Sequence, residues 1–530
     1  MATNTAITTS VIQPREYNYH DQSTNNPISI ARMFQLPNVV SPPALSWSPW
    51  PLQDQGDLWS PGLFDDFTVP WLDFDMMNPS CEEAQRVLEP QQSMDVLPSI
   101  HNVVQSTGPI SSPPVIDNAT LMSLIGVFVD RLLPVMPFFK GSYLTKHIAS
   151  DRLNIDTQFR AMISAICALT LLQPQQTNDK GTPLHKINAD LLIEEAIRLH
   201  SRPDFGESPT IAGVLTSTFL FACQFCKGRD NAAWLKLREA ISLGELLNLH
   251  NPRGYVDLDL DERDLRKRTY ICLIVLERVF CIQRNLPILR DQTRKQNLRQ
   301  YLEEMYDELS PAEESEELST VQSMKEMAGV FEHIDEVPYA CWSKTCNVDD
   351  RSHDHISAPI LNGILERYAD ETSAIGTGPS KVHLWTKYTP ASSKMGEQSR
   401  VDATRQADIG ITRQWMRNQM WRLAQRHKYL DQPRSFGELL SSKALVIAKE
   451  SVELCSSYEI SILEVHGVGF LEKLFDIASS AISVVAITDQ TQDFREVLNR
   501  FTALFALFRG GKHAYLGKYL RAIQQIDGDA

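Results

Sequence analysis

Four groups of residues in this 530-residue chain have types and spacings that could do chemistry. Cys223 and Cys226 are separated by two residues, the spacing of a redox pair or of half a zinc site. Cys341 and Cys346, followed by His353 and His355, bring together the thiolate and imidazole ligands that zinc prefers. Asp349, Asp350 and Asp354 crowd the hard oxygen donors that magnesium takes. Gly510-Gly511-Lys512 ends like a phosphate-binding loop but lacks the four residues such a loop places between its glycines. Neither a Gly-x-Ser-x-Gly elbow nor a His-Glu-x-x-His helix is present.

The elements that would have to position these groups argue against most of them. The surroundings of the first cysteine pair, TSTFLFACQFCKG, form an apolar run at helical spacing with no second pair, which predicts two buried structural thiols. Residues 333–358 show no clear period, so the cysteines and histidines there lack a frame to converge on a metal. Asp349-Asp350-x-x-His353-Asp354 resembles the aspartate-rich motif of all-α terpene synthases. Those enzymes set it on a helix facing a second metal motif, and no such partner is found. The expectation is therefore a non-enzyme without a cofactor, and an all-α enzyme acting on an isoprenoid diphosphate is the alternative.

From residue 118 onward helical periodicity dominates. Helices are predicted over 121–139, 159–172, 184–200, 211–226 and 231–249, and again over 404–429, 436–456, 469–488, 494–508 and 514–526. Gly244 would admit a close helix neighbour. The acidic, polar stretch 303–326 and the aperiodic residues after it predict an insertion or long surface loop over about 303–358, and a Gly/Pro/Ser/Thr-rich patch predicts a second at 372–399. Strand alternation is almost absent. The fold class expected is all-α, a large helical array.

Residues 1–117 differ from the rest. They hold 15 of the 29 prolines, no lysine, and 13 acidic residues against three arginines, so they carry −10 of the net −15. Proline at this density breaks helices and strands alike, and the segment is expected to be a disordered acidic tail. Within it, residues 57–77 alternate Trp59, Leu63, Phe64, Phe67, Trp71, Leu72 and Phe74 with five aspartates. Acidic charge keeps large apolar groups in water while the chain is unfolded, and those groups can then enter an apolar groove on a partner. A strap folded back on the helical body is the other reading.

Residues 262–290, ERDLRKRTYICLIVLERVFCIQRNLPILR, open with a basic cluster and continue as an apolar run interrupted by Glu277 and Arg278. The pattern predicts a helix buried on nearly every side with a solvated, charged start. The stretch also resembles a signature of the fungal-specific transcription factor domain, the helical regulatory region behind the zinc cluster of many fungal activators. Its elements have counterparts in Glu262, Arg266, Lys267, Arg268, Tyr270, Glu277 and Pro287. Blocks at 124–139, with Pro134 and Pro137 in a Pro-x-x-Pro turn, and at 161–172, 232–250, 411–430, 464–485 and 505–520 resemble the family's other helices in order. The resemblance implies a nuclear regulator of transcription controlling a metabolic or secondary-metabolite gene cluster, whose helical body contacts other proteins and whose tail recruits coactivators. A co-repressor that pairs with a full-length zinc-cluster relative is a further alternative.

The family usually begins with six cysteines that hold two zinc ions and set a helix in DNA. Here the first 160 residues contain one cysteine, Cys81. Zinc is implied only if a cysteine-rich segment lies upstream; DNA contact is expected to be indirect, through a DNA-binding partner, and a homo- or heterodimer with zinc-cluster regulators is a further expectation. The net charge of −15 excludes a general electrostatic grip on DNA or acidic lipid. Nine scattered cysteines fit a reducing compartment, and the resemblance implies the nucleus. No apolar run is long enough for a membrane helix.

Overall fold

A computed structural model describes residues 116–150, 152–173, 187–201, 205–288, 292–309, 316–332, 334, 336–342, 356–377, 397–427, 434–485 and 491–529. The expected acidic tail, with Trp59, Leu63, Phe64, Phe67, Trp71, Leu72 and Phe74, lies outside the described residues, apart from Ile116 and Asp117 at its end. Most of the described residues are helical, with no strand among them.

Helix α1 (Asn118–Val127) starts on Asp117, whose carboxylate accepts the Thr120 N–H at 2.9 Å. It passes into one π turn, Phe128–Leu132, where the Leu133 N–H reaches the Phe128 carbonyl at 2.9 Å. The helix was expected to continue to 139; Pro134 removes a donor and stops it. The Pro134–Pro137 turn is then held by aromatic packing. Phe128, Phe138 and Phe139 lie 5.7, 5.4 and 6.1 Å from the buried Phe219 ring.

Short helices α2 (Tyr143–Ala149) and α3 (Arg152–Ile155) lead to α4 (Thr157–Leu172), α5 (Ala189–His200), α6 (Ile211–Cys226) and α7 (Asp230–Leu246). Asp156, Asn188 and Thr210 cap α4, α5 and α6 through backbone N–H groups. Helix α4 packs against α1, α5 and α6, and α6 against α7. Gly244 fills the close-approach role expected of it. A Cβ there would lie 3.3 Å from Leu249 and 3.6 Å from Leu273 of the next helix.

That helix, α8 (Leu260–Arg284), is the spine of the fold. Asp259 caps it, and Asn285 ends it in the left-handed conformation (φ 52°) just before Pro287. Leu265, Tyr270, Ile271, Leu273, Ile274 and Phe280 join a first hydrophobic cluster built by α1 to α7 and completed by residues 298–305 and 321–328, while Val279 and Ile282 face a second.

The region expected as a loop over 303–358 is mostly helical where it is described. Helices α9 (Gln292–Asp307), α10 (Glu316–Gly329) and α11 (Glu336–Trp342) cross it, and residues 343–355 lie outside the described residues. Leu298, Tyr301, Leu302 and Met305 of α9, and Val321, Met324 and Ala328 of α10, are buried at helical spacing. The acidic residues that suggested a loop occupy the remaining faces.

The second cluster is formed by α12 (Ala358–Thr377), α13 (Glu397–Arg426), α14 (Arg434–Ser456), α15 (Ile460–Leu463), α16 (Gly467–Val485), α17 (Thr491–Leu507) and α18 (Ala514–Asp529). The expected loop at 372–399 is therefore helical to Thr377 and from Glu397, with 378–396 outside the described residues. Helix α13 carries the fully buried Trp415 and Trp421 and packs on α12, α14 and α16.

Candidate functional site

The residues of the α8 signature are brought together, but not as a solvated helix start. Lys267 and Arg268 are each 1% exposed, and this corrects the sequence expectation. Lys267 Nζ lies 2.8 Å from Glu304 and 3.1 Å from Glu308 of the α9 region. Arg268 Nε donates to Asp264 Oδ2 at 2.7 Å, and its Nη2 donates to Glu317 of α10. Burial works to lower the Arg268 pKa, and Asp264 and Glu317 outweigh it, so the guanidinium is held above its usual range. Arg266 pairs with Glu262 at 2.7 Å one turn back.

Further along α8, the Tyr270 ring meets Tyr301 edge-on at 5.3 Å. Both Tyr301 and Tyr255 donate to the Leu249 carbonyl, at 3.1 and 2.7 Å. Glu277, 2% exposed, faces Arg238 at 3.6 Å. The Pro287 carbonyl accepts from the Cys281 thiol at 3.6 Å. At the end of the helix, Arg284 bridges Asp230 of α7 at 2.9 Å and Glu472 of α16 at 2.5 Å, with the Phe225 and Phe280 rings each 5.5 Å from its guanidinium carbon. The signature thus builds a junction: its cations and aromatics dock α9, α10, α7 and α16 around one spine.

A cleft opens at the same junction. Its apolar part, about 100 Å³, lies between the Pro134–Pro137 turn, α8 (Ile271, Cys272, Val275, Leu276), α10 (Met324, Met327) and α13 (Ile409). A larger polar part of about 860 Å³ adjoins it and shares Pro134, Pro137, Thr320 and Arg405 as walls. Arg405, 7% exposed, sits in that shared wall. It donates to the Pro134 carbonyl at 3.3 Å, the Ser319 hydroxyl at 3.1 Å and the Thr320 hydroxyl at 2.7 Å. Burial pulls its pKa below the usual guanidinium value.

The other titratable groups on the apolar wall are tied up. Burial pushes the Cys272 thiol up to about 12, so it is not a thiolate near neutral pH. Burial favours the acid form of Asp408, but Lys473 at 3.2 Å outweighs it and holds the carboxylate ionised. This arrangement suits holding a molecule better than breaking a bond.

Two constellations that resemble reactive sites are packed as core. Cys223 and Cys226 sit one turn apart on α6, and burial raises both thiols. Sequence reading missed Ser217, His200 and Glu239. His200 Nε2 lies 2.9 Å from Ser217 Oγ and 3.1 Å from Glu239 Oε1. A base-activated hydroxyl needs the carboxylate on the opposite ring nitrogen, and here both share one. Ser217 is fully buried, so substrate has no approach. Glu239, opposed by burial but held by His200, Ser217 and Lys236, is depressed to about 2.

Of the remaining sequence candidates, Cys341 is buried on α11, while Cys346, Asp349, Asp350, His353, Asp354 and His355 lie outside the described residues. Gly510 and Gly511 form a tight positive-φ turn (58° and 75°) between α17 and α18. No group of three or more His, Cys, Asp or Glu among the described residues could hold a metal ion. No described helix is long and apolar enough to cross a membrane.

One curated protein similar to this chain is the "Probable sucrose utilization protein SUC1" of Candida albicans. It is 23% identical over 391 residues, which cover 72% of this chain and 69% of the relative. No protein-family model and no solved structure matches the chain.

Proposed function

We propose that this chain is a nuclear regulator of transcription for a fungal set of metabolic genes, with the helical body as its protein-contact and control region and residues 1–117 as its activating segment. The observation that carries this reading is the α8 junction. Four residues of the resembled signature, Lys267, Arg268, Tyr270 and Glu277, are buried along α8, which is what a motif fixed by packing requires. The relative named for sucrose utilization favours genes of sugar use over those of a secondary-metabolite cluster. The acidic, aromatic composition of residues 57–77 supports coactivator recruitment.

The test is a fusion of residues 1–117 to a heterologous DNA-binding domain. It should activate a reporter, and Phe64→Ala, Phe67→Ala and Trp71→Ala together should abolish the signal. Silence of the unmodified fusion, with the protein present in nuclei, refutes the activating role.

A further inference from the structure

We propose that the cleft between the two hydrophobic clusters binds a small monocarboxylate, with its carboxylate on the Arg405 guanidinium and a short aliphatic or monocyclic body in the apolar part beside Ile271, Met324 and Ile409. The proposal concerns binding alone and does not depend on the transcriptional reading.

The pairing of Arg405 differs from that of Lys267, Arg268 and Arg284 on the same junction. Lys267, Arg268 and Arg284 are each held by two carboxylates within 3.1 Å or closer. Arg405 instead bonds a carbonyl and two hydroxyls, and its carboxylate neighbour Asp402 stands at 3.6 Å. Asp402 is itself engaged by the Ser319 hydroxyl and by the Gln398 amide at 3.2 Å. A guanidinium has five N–H donors in a planar fork, so donors remain for a planar carboxylate. A buried cation whose one paired carboxylate, Asp402, stands off at 3.6 Å and is shared with Ser319 and Gln398 gains from an incoming anion, because its desolvation has already been incurred.

The cavity supplies the rest of the specificity. Arg405 and Thr320 line both its parts, so a molecule with its head at Arg405 has an apolar wall on one side and a polar approach on the other. The polar part also carries Arg131 and Arg400, opposed by Asp130, Glu316 and Glu317, of which Glu317 is committed to Arg268. That balance accommodates one added negative charge and disfavours a dianion. The lining comes from both clusters, Phe138, Ile271 and Met324 from the first and Ile409 from the second, so an occupant adds contacts across the seam and should raise thermal stability.

Calorimetry and thermal-shift measurements on the full chain with hexanoate, hexanamide and hexylamine decide the matter. Hexanoate should bind saturably and raise Tm, with the amide and amine at least about tenfold weaker. Arg405→Gln should weaken hexanoate roughly 10- to 100-fold and leave hexanamide unchanged. Met327→Trp, which fills the apolar part from a half-buried position, should abolish binding while Arg405 stays in place. Equal binding of acid and amide, no saturable hexanoate binding, or full hexanoate affinity in a folded Arg405→Gln or Met327→Trp protein would overturn the proposal. If Arg405→Gln does not fold, the acid-to-amide comparison on the unmodified chain still decides it.

Discussion

Arg268→Met is the sharpest test of the buried signature. The substitution keeps an unbranched apolar stem but removes the guanidinium that Asp264 and Glu317 share. Both carboxylates are mostly buried, at 13% and 15% exposure, so they cannot recover full hydration in place. Breaking one partner from a buried ionic cluster costs about 3–5 kcal/mol, most of it from the charges left behind. A solvated helix start would cost at most about 0.5 kcal/mol. Urea unfolding resolves the two, because urea is uncharged and does not screen ion pairs. Far-UV circular dichroism follows the helices, and the buried Trp415 and Trp421 report on the second cluster by fluorescence. Arg299→Gln is the control, since Arg299 pairs with Glu332 while 62% exposed. A loss no larger than the control's would refute the reasoning.

Two further outcomes follow from local geometry. Gly467→Ala should lower stability by about 1–3 kcal/mol in thermal unfolding, because Gly467 sits at φ 66° and ψ −149° and the new Cβ would meet Gln173 Oε1 at 2.9 Å. Glu239, depressed to about 2, contributes stability that is present above its unfolded pKa near 4.5 and is lost as pH falls from there toward 2. Allowing for its partial exposure, the contribution is on the order of 2 kcal/mol, and Glu239→Gln should flatten stability against pH across that window in acid titrations.

Much of the fold was legible in the sequence, for a local reason. Residues 211–226 were expected as a helix and are one end to end, because Thr210 caps the start and the apolar run stops at Lys227-Gly228. The failures have a nonlocal cause. Helices α9 and α10 have polar composition because Glu304, Glu308 and Glu317 complement Lys267 and Arg268, which lie more than 30 residues earlier in the chain. No window of sequence contains both members of such a pair, so acid reads as loop and base as solvated surface. The cleft was half visible. The Pro134–Pro137 turn and the α8 helix stood out, but Arg405 sits among ordinary polar residues of α13 and gains its meaning from Pro134, Ser319 and Thr320. Ser217, His200 and Glu239 left no spacing signal, since three different helices supply them.

The double membership of α8 bears on how the polypeptide can be cut. Its early turns complete one apolar interior, Val279 and Ile282 complete the other, and Arg284 ties α7 to α16. A fragment ending before residue 260 would leave α4, α6 and α7 with a bare greasy surface. One beginning after residue 285 would open α13 and α16 to water. Neither half is a natural unit for recombinant production, and a proteolytic nick within 260–284 should release both halves into aggregation rather than yield two soluble pieces.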